Sequence, residues 1–228
     1  MILILILILI IIVSTLLFSK HPSFGKAPSG KRLERILKSP YYKKDKFDNI
    51  RYTPQLAEDT SILKVLYRFL FTKSKNLIPK QKFNFTKTDL LNLDPTENIY
   101  VWMGHSSYFL QVDGKRILVD PVFSGNASPV TFTTKALKGT DLYTTDDIPD
   151  LDYLIITHDH WDHLDYKTVK KLNSKVKQVI TGLGTGEHLE DWNYDPTKII
   201  ALDGAENFDL GNGFKVYAET ARHFSGRG

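Results

Sequence analysis

The sequence predicts a layered α/β domain built on a mixed sheet, with an apolar N-terminal helix and a basic arm ahead of it. Three observations carry this expectation. Residues 1–18 are apolar apart from Ser14 and Thr15. Short β-type runs begin near Asn98 with a hairpin turn signal among them, and from Leu151 onward such runs alternate with helix-type segments. That is the pattern of a sheet that opens with hairpins and continues through strand-helix crossovers. Finally, 228 residues that are 42% hydrophobic and 25% charged have an ordinary globular balance, which excludes a mainly disordered chain.

In chain order, residues 1–18 read as a hydrophobic membrane anchor, close to the shortest stretch that crosses a bilayer as a helix. A cleaved signal peptide fits less well, because no basic residue precedes the stretch and no small-residue cleavage pattern follows it. A wrongly set start codon is a further alternative. Residues 19–80 read as a basic arm with one short helix over Lys31–Lys38 and an apolar helix over Ser61–Phe71. In that second helix Ser61, Lys64 and Arg68 form one narrow polar stripe, so its remaining faces ask for cover. Residues 81–228 form the domain. Its expected strands are Ile99–Met103, Tyr108–Val112, Arg116–Val119 after the Asp113-Gly114 turn, Leu151–Thr157, Val176–Thr181, Lys198–Leu202 and Phe214–Glu219, with helices over Asp165–Leu172 and Glu187–Trp192.

Charge and cysteine usage narrow the chemistry. The net charge of +4 hides an asymmetry: residues 19–51 hold ten Lys or Arg and only Glu34, Asp45 and Asp48, a local +7 that leaves −3 elsewhere. The excess directly after the apolar stretch favours a cytoplasmic position for the rest of the chain, with export as the alternative. The same lysines and arginines suit anionic headgroups. Because the positive charge sits beside the anchor, a nucleic-acid role ranks low. There is no cysteine, so any metal is held by histidine and carboxylate.

The informative segment is LIITHDHWDHLD, Leu154–Asp165. His158 and His160, two apart after a buried strand, point to one side where two imidazoles converge on an ion. Asp162 and His163, expected at the start of the next helix, can face a second ion. Nitrogen and carboxylate donors suit Zn²⁺, and also Fe or Mn. Asp165 suits a helix N-cap. Asp120, before Pro121, reads equally as a turn residue or as a group orienting a ligand histidine. Gly182, Gly184 and Gly186 read as a strand-to-helix turn. His21 and His188 have no constellation around them.

The H-x-H-x-D-H pattern after a hydrophobic strand resembles the metal motif of the metallo-β-lactamase fold hydrolases, whose two αββα halves form a sandwich with a one- or two-metal site at its edge. Trp102–Pro129, Ala221–Gly228 and the arm segment Ser39–Asn49 are similar to the subgroup containing N-acylphosphatidylethanolamine-hydrolysing phospholipase D and its bacterial relatives. The resemblance implies His158, His160 and His223 as ligands of a first metal and Asp162 and His163 as ligands of a second, with two Zn²⁺ in a complete site. His105, in a loop matching the family at the end of the first strand, is implied as a substrate-contacting or supporting residue alongside Asp162. The family also uses a bridging Asp and a further His beyond the position of Gly228, so mainly the N-terminal half of the sandwich is expected here.

The resulting expectation is a metal-dependent hydrolase, favoured as a phospholipase D-like phosphodiesterase acting on N-acylphosphatidylethanolamine or a similar membrane lipid. The alternatives are a same-fold hydrolase of a soluble ester, lactone or nucleotide, and a non-catalytic, membrane-anchored metal-binding or interaction protein. With only two residues for its second ion, the 228-residue chain is expected to hold one metal tightly and to be inactive.

Overall fold

The computed structural model of the chain describes residues 2–72, 75–81 and 84–227. Met1 of the expected anchor, Lys73 and Ser74 of the arm segment, and Lys82, Phe83 and Gly228 of the expected domain lie outside the described residues. The elements are α1 (Ile2–Ser19), α2 (Gly30–Ile36), β1 (Tyr42–Lys43), β2 (Lys46–Phe47), α3 (Ile62–Phe71), β3 (Ile99–Gly104), β4 (Ser107–Val112), β5 (Lys115–Val119), β6 (Leu151–Ile156), α4 (Tyr166–Leu172), β7 (Val176–Gly182), α5 (Gly186–Asp191), β8 (Ile199–Leu202), β9 (Asn207–Gly211) and β10 (Phe214–Tyr217).

Strands β3 to β8 form one six-stranded sheet in chain order. The β3-β4 and β4-β5 pairs are antiparallel, and β5-β6, β6-β7 and β7-β8 are parallel. This is the mixed α/β sheet the sequence predicts. The change of direction follows from the connections: short turns join β3 to β5, the long segment 120–150 crosses over from β5 to the parallel β6, and α4 and α5 carry the chain back between the later parallel strands. One sheet face packs Leu154, Ile156 and Val179 against Val169, Leu172 and Leu189 of α4 and α5. Leu154 and Ile156 are fully buried, each stabilising the fold by about 1.5–3 kcal/mol relative to exposure. On the opposite face, Leu210 and Val216 of the antiparallel β9-β10 hairpin pack on Tyr153, Ile180 and Leu202. Strand β9 has no counterpart in the sequence expectation. The layers are therefore helices, six-stranded sheet and two-stranded hairpin, and the parallel strands β6 and β7 end at the edge where the histidine loop emerges.

One expectation needs correction. Helix α3 forms under its Ser61 cap, which accepts from Lys64 N–H at 3.3 Å, but none of its residues is buried. Its amphipathic pattern identified a face in need of cover without specifying a partner. The arm, in contrast, docks on the domain. Trp192 Nε1–H donates to Pro22 O at 2.8 Å, Arg32 pairs with Glu190 at 2.5 Å, Arg35 pairs with Glu206 at 2.5 Å, and Ile36 is buried. These partners stand more than 150 residues away in the chain, beyond the reach of local pattern.

His188 belongs to this docking. Its Nδ1 accepts from Lys26 N–H at 3.1 Å, and its Nε2 faces Asp159 at 3.9 Å. Burial, followed by the Arg227 charge, pushes its pKa down to about 4 against the opposing pull of Asp159 and Asp191. Between about pH 6.5 and 4 the unfolded chain binds a proton here that the folded chain refuses. The contribution is therefore full above pH 6.5 and falls with acidification, by about 2 kcal/mol at pH 5. Thermal melts from pH 7 to 5 check this: the wild type is expected to lose stability more steeply than His188→Gln. Equal slopes would assign the acid sensitivity to other groups.

Candidate metal centre

The centre is built where β6 ends. After Ile156 the chain leaves the sheet, and the amides of His163 and Leu164 both donate back to His160 O at 3.0 and 2.8 Å, closing a tight turn. Helix α4 starts only after this turn. Asp165 is its N-cap and accepts from Lys167 N–H at 3.1 Å. Asp162 and His163 thus lie in the turn, not in the helix as expected from sequence. Asp165 also accepts from Ser124 N–H and Thr168 Oγ1, which ties the β5-β6 connection to the helix start.

His158, His160 and His223 come together as the sequence and the family resemblance imply. His223 Nε2 lies 3.0 Å from His158 Nε2 and 3.0 Å from His160 Nδ1. Tetrahedral Zn–N bonds of about 2.0–2.1 Å set neighbouring nitrogens about 3.3 Å apart, so this cluster has nearly the spacing of a ligand set. The charge state fits as well. Burial, and then the neighbouring histidines, lower the His158 pKa to about 4, and burial followed by His223 lowers that of His160. Both imidazoles are neutral near pH 7 and keep the lone pairs that a cation needs. Gly226 presses against this cluster, since a Cβ there would fall 1.9 Å from His160 Cδ2; only glycine leaves room for that ring.

Beside the first cluster stand His105, Asp162 and His163, whose donor atoms lie within 4.8 Å of one another. The His158 and His163 rings are 3.9 Å apart, so the two donor sets adjoin as in a two-metal centre. Asp120 resolves in favour of an orienting role. Its buried carboxylate receives His163 Nδ1–H at 2.8 Å, Thr157 N–H at 2.8 Å and Thr157 Oγ1–H at 2.7 Å. The proton is thereby held on Nδ1, and Nε2 is left free to ligate. Burial works to lower the His163 pKa, but the Asp120 hydrogen bond and the charges of Asp120 and Asp162 outweigh it and the net shift is upward. For Asp162 burial is again opposed, here by the His105 hydrogen bond, and the carboxyl is held below its usual range.

Sequence reasoning gave no role to Arg227. Its buried guanidinium stacks over Trp161 at 4.1 Å and lies 5.4 Å from the Trp192 ring. It donates to Asp159 O at 2.9 Å and to the carbonyls of Leu164 and Ser23. One side chain therefore grips both ends of the metal loop and the foot of the arm. Desolvation lowers its pKa to about 10, so it stays charged near neutrality. Asp159 closes the circuit by accepting from Ser225 Oγ and from Gly226 N–H. The only local signal for this role was an arginine three residues past Phe224, beside His223, which specifies no partner.

Comparison with known proteins places the chain in a family. The chain is 29% identical over 190 residues to an uncharacterized protein of Mycobacterium tuberculosis, covering 83% of this chain and 51% of that one; it thus spans about half the length of that relative. It is 28% identical over 127 residues to a metal-dependent hydrolase of Caldivirga maquilingensis, covering 56% of this chain and 49% of the relative. Over 78 residues it is 32% identical to an N-acyl-phosphatidylethanolamine-hydrolyzing phospholipase D of Caenorhabditis elegans, covering 34% and 22% of the two chains. The model of the Beta-lactamase superfamily domain matches residues 115–228, the stretch that contains the histidine loop, Asp120 and His223. With half of its length matched and a mixed sheet of the metallo-β-lactamase type beneath the donors, the chain belongs to the beta-lactamase superfamily.

Proposed function

We propose that the protein is a metal-dependent hydrolase of phosphodiesters, a phospholipase D-like enzyme acting on N-acylphosphatidylethanolamine or a similar lipid of the membrane in which α1 is anchored. The metal-dependent hydrolase part rests on family membership and the two adjoining donor sets. The lipid part rests on one observation, the aromatic connection between anchor and metal loop. Phe18 in the last turn of α1 meets Phe24 at 5.3 Å, and Phe24 meets Trp161 at 5.3 Å. Trp161 stands between the donors His160 and Asp162. Helix α1 is long and apolar enough to cross a membrane, and none of it is buried within the protein, so a bilayer around α1 would lie two ring contacts from the centre.

A divalent ion bound here, zinc or alternatively iron or manganese, supplies Lewis acidity and lowers the pKa of a water toward about 7. The protein's own groups do the rest. His158, His160 and His223 would hold the first position and Asp162 and His163 the second. Asp120 keeps the His163 proton on Nδ1, and Arg227 holds the loop in register. His105 stands exposed at the mouth, on the Asp162 carboxylate. A cavity of about 630 Å³ adjoins His223, with Ile155, Ile180, Leu202 and Val216 on its apolar floor and Arg51, Arg222, Asp48, Asp203 and Glu219 along its wall; the floor suits the apolar part of an amphiphile.

The test uses the protein reconstituted in vesicles of phosphatidylcholine containing N-acylphosphatidylethanolamine, with phosphatidate and N-acylethanolamine measured as products. Hydrolysis of the lipid is expected, and deleting residues 2–18 should lower it at least about tenfold while sparing a soluble phosphodiester. Turnover confined to soluble esters and indifferent to vesicles would overturn the lipid reading in favour of a soluble substrate.

A further inference from the structure

We propose that His105, Asp162 and His163 make a three-ligand site of their own, so that residues 1–228 hold two divalent cations instead of one. The inference rests on the metal-binding part of the reading above and adds His105 as a ligand of the second ion. The resemblance provided only Asp162 and His163 for that ion within this chain.

The convergence falls on one atom. His105 Nε2 lies 2.7 Å from Asp162 Oδ2, and His163 Nε2 lies 3.7 Å from the same oxygen. Both imidazoles thus approach the same oxygen, and the three donor atoms gather within 4.8 Å of one another. Two imidazole nitrogens and one carboxylate oxygen form a set suited to zinc, iron or manganese.

Each donor is also secured from behind. Asp120 holds His163 through Nδ1. Ser106 Oγ donates to Asp162 O at 3.0 Å, and Trp102 Nε1–H donates to His105 O at 2.9 Å. The β3-β4 turn is thus fastened to the metal loop across 57 residues of chain. His105 itself has φ +45, a left-handed backbone that few residues with a side chain adopt, and in this turn it carries the ring toward Asp162. Support of this kind for ligand side chains is what metal sites require.

Metal content of the purified chain, equilibrated with buffered free Zn²⁺ and measured by mass spectrometry, tests the proposal. Two ions per chain are expected for the wild type and one for His105→Ala. His105→Asn is the sharper variant: an asparagine amide can still donate to Asp162 but is a poor zinc ligand, and at this exposed position it should leave the fold intact, as circular dichroism can verify. One ion in His105→Asn is expected, and His158→Ala should likewise keep one ion, now in the second site. A single ion in the wild type, or two in His105→Asn, would overturn the proposal. Turnover does not enter: a wild type holding two ions yet hydrolysing nothing would defeat the hydrolase reading and leave this one standing.

Discussion

If the protein is the phosphodiester hydrolase proposed above, replacing His158 by alanine is expected to lower its turnover by about a thousandfold or more while leaving the fold largely unchanged. Its Nε2 is one corner of the first donor set, and its ring touches His163 of the second. Removing it costs the first ion a third of its protein ligands and widens the gap between the two sites. Lewis-acid stabilisation of a phosphoryl transition state amounts to several kcal/mol, and about 4 kcal/mol is a factor of a thousand in rate. The fold is spared because the ring is only partly buried and lies outside both hydrophobic clusters. Metal content and turnover of the purified variant decide the matter, and wild-type values of both would mean that the ligand assignment is wrong.

Asp120→Asn should produce the next largest effect, without touching any donor atom. The carboxylate accepts every bond made to its side chain, and an amide can accept through only one of its two ends. If the amide NH₂ faces His163 it donates to Nδ1, which drives the ring proton to Nε2 and blocks ligation there. If it faces Thr157 instead, it meets a backbone N–H that has lost its acceptor, at about 1–3 kcal/mol. Second-ion affinity is expected to fall about 10–100-fold, accompanied by a lower melting temperature. Zinc competition titrations and thermal melts of the apo protein measure the two consequences separately. An unchanged second-ion affinity would show that the tautomer of His163 is set elsewhere.

What was legible in the sequence and what was not divide by the range of the contacts. Leu154 to Ile156 and their neighbouring strands could be read because strand burial repeats locally. His158, His160, Asp162 and His163 could be read because the motif sits within six residues. The Asp113-Gly114 dipeptide signals a hairpin, and Asn212-Gly213, an equally strong signal with φ +53 and +83, joins β10 to a strand with little pattern of its own. Asn207–Gly211 is mostly exposed and carries too little apolar alternation to announce itself. The β1-β2 hairpin turns on Lys44 and Asp45, both left-handed, a pair with much weaker preference for such a turn than Asn-Gly. The roles of Asp120, His188 and Arg227 depend on partners 43, 162 and up to 204 residues away, and only the folded chain brings those together.

Asp120 and His105 share a backbone feature with consequences for evolution and engineering. Asp120 has φ +43 and His105 has φ +45. Residues with a side chain are disfavoured there by about 1–3 kcal/mol, and glycine relieves that cost. A screen that rewards heat resistance alone should therefore enrich glycine at the exposed His105, a gain that would remove the donor at the mouth, whereas at Asp120 the three bonds accepted by the buried carboxylate outweigh the backbone cost. Tolerance to heat and competence to hold metal pull in opposite directions at His105 and in the same direction at Asp120, so a hardier variant of this protein would need its stability added in the α4 and α5 layer, away from both turns.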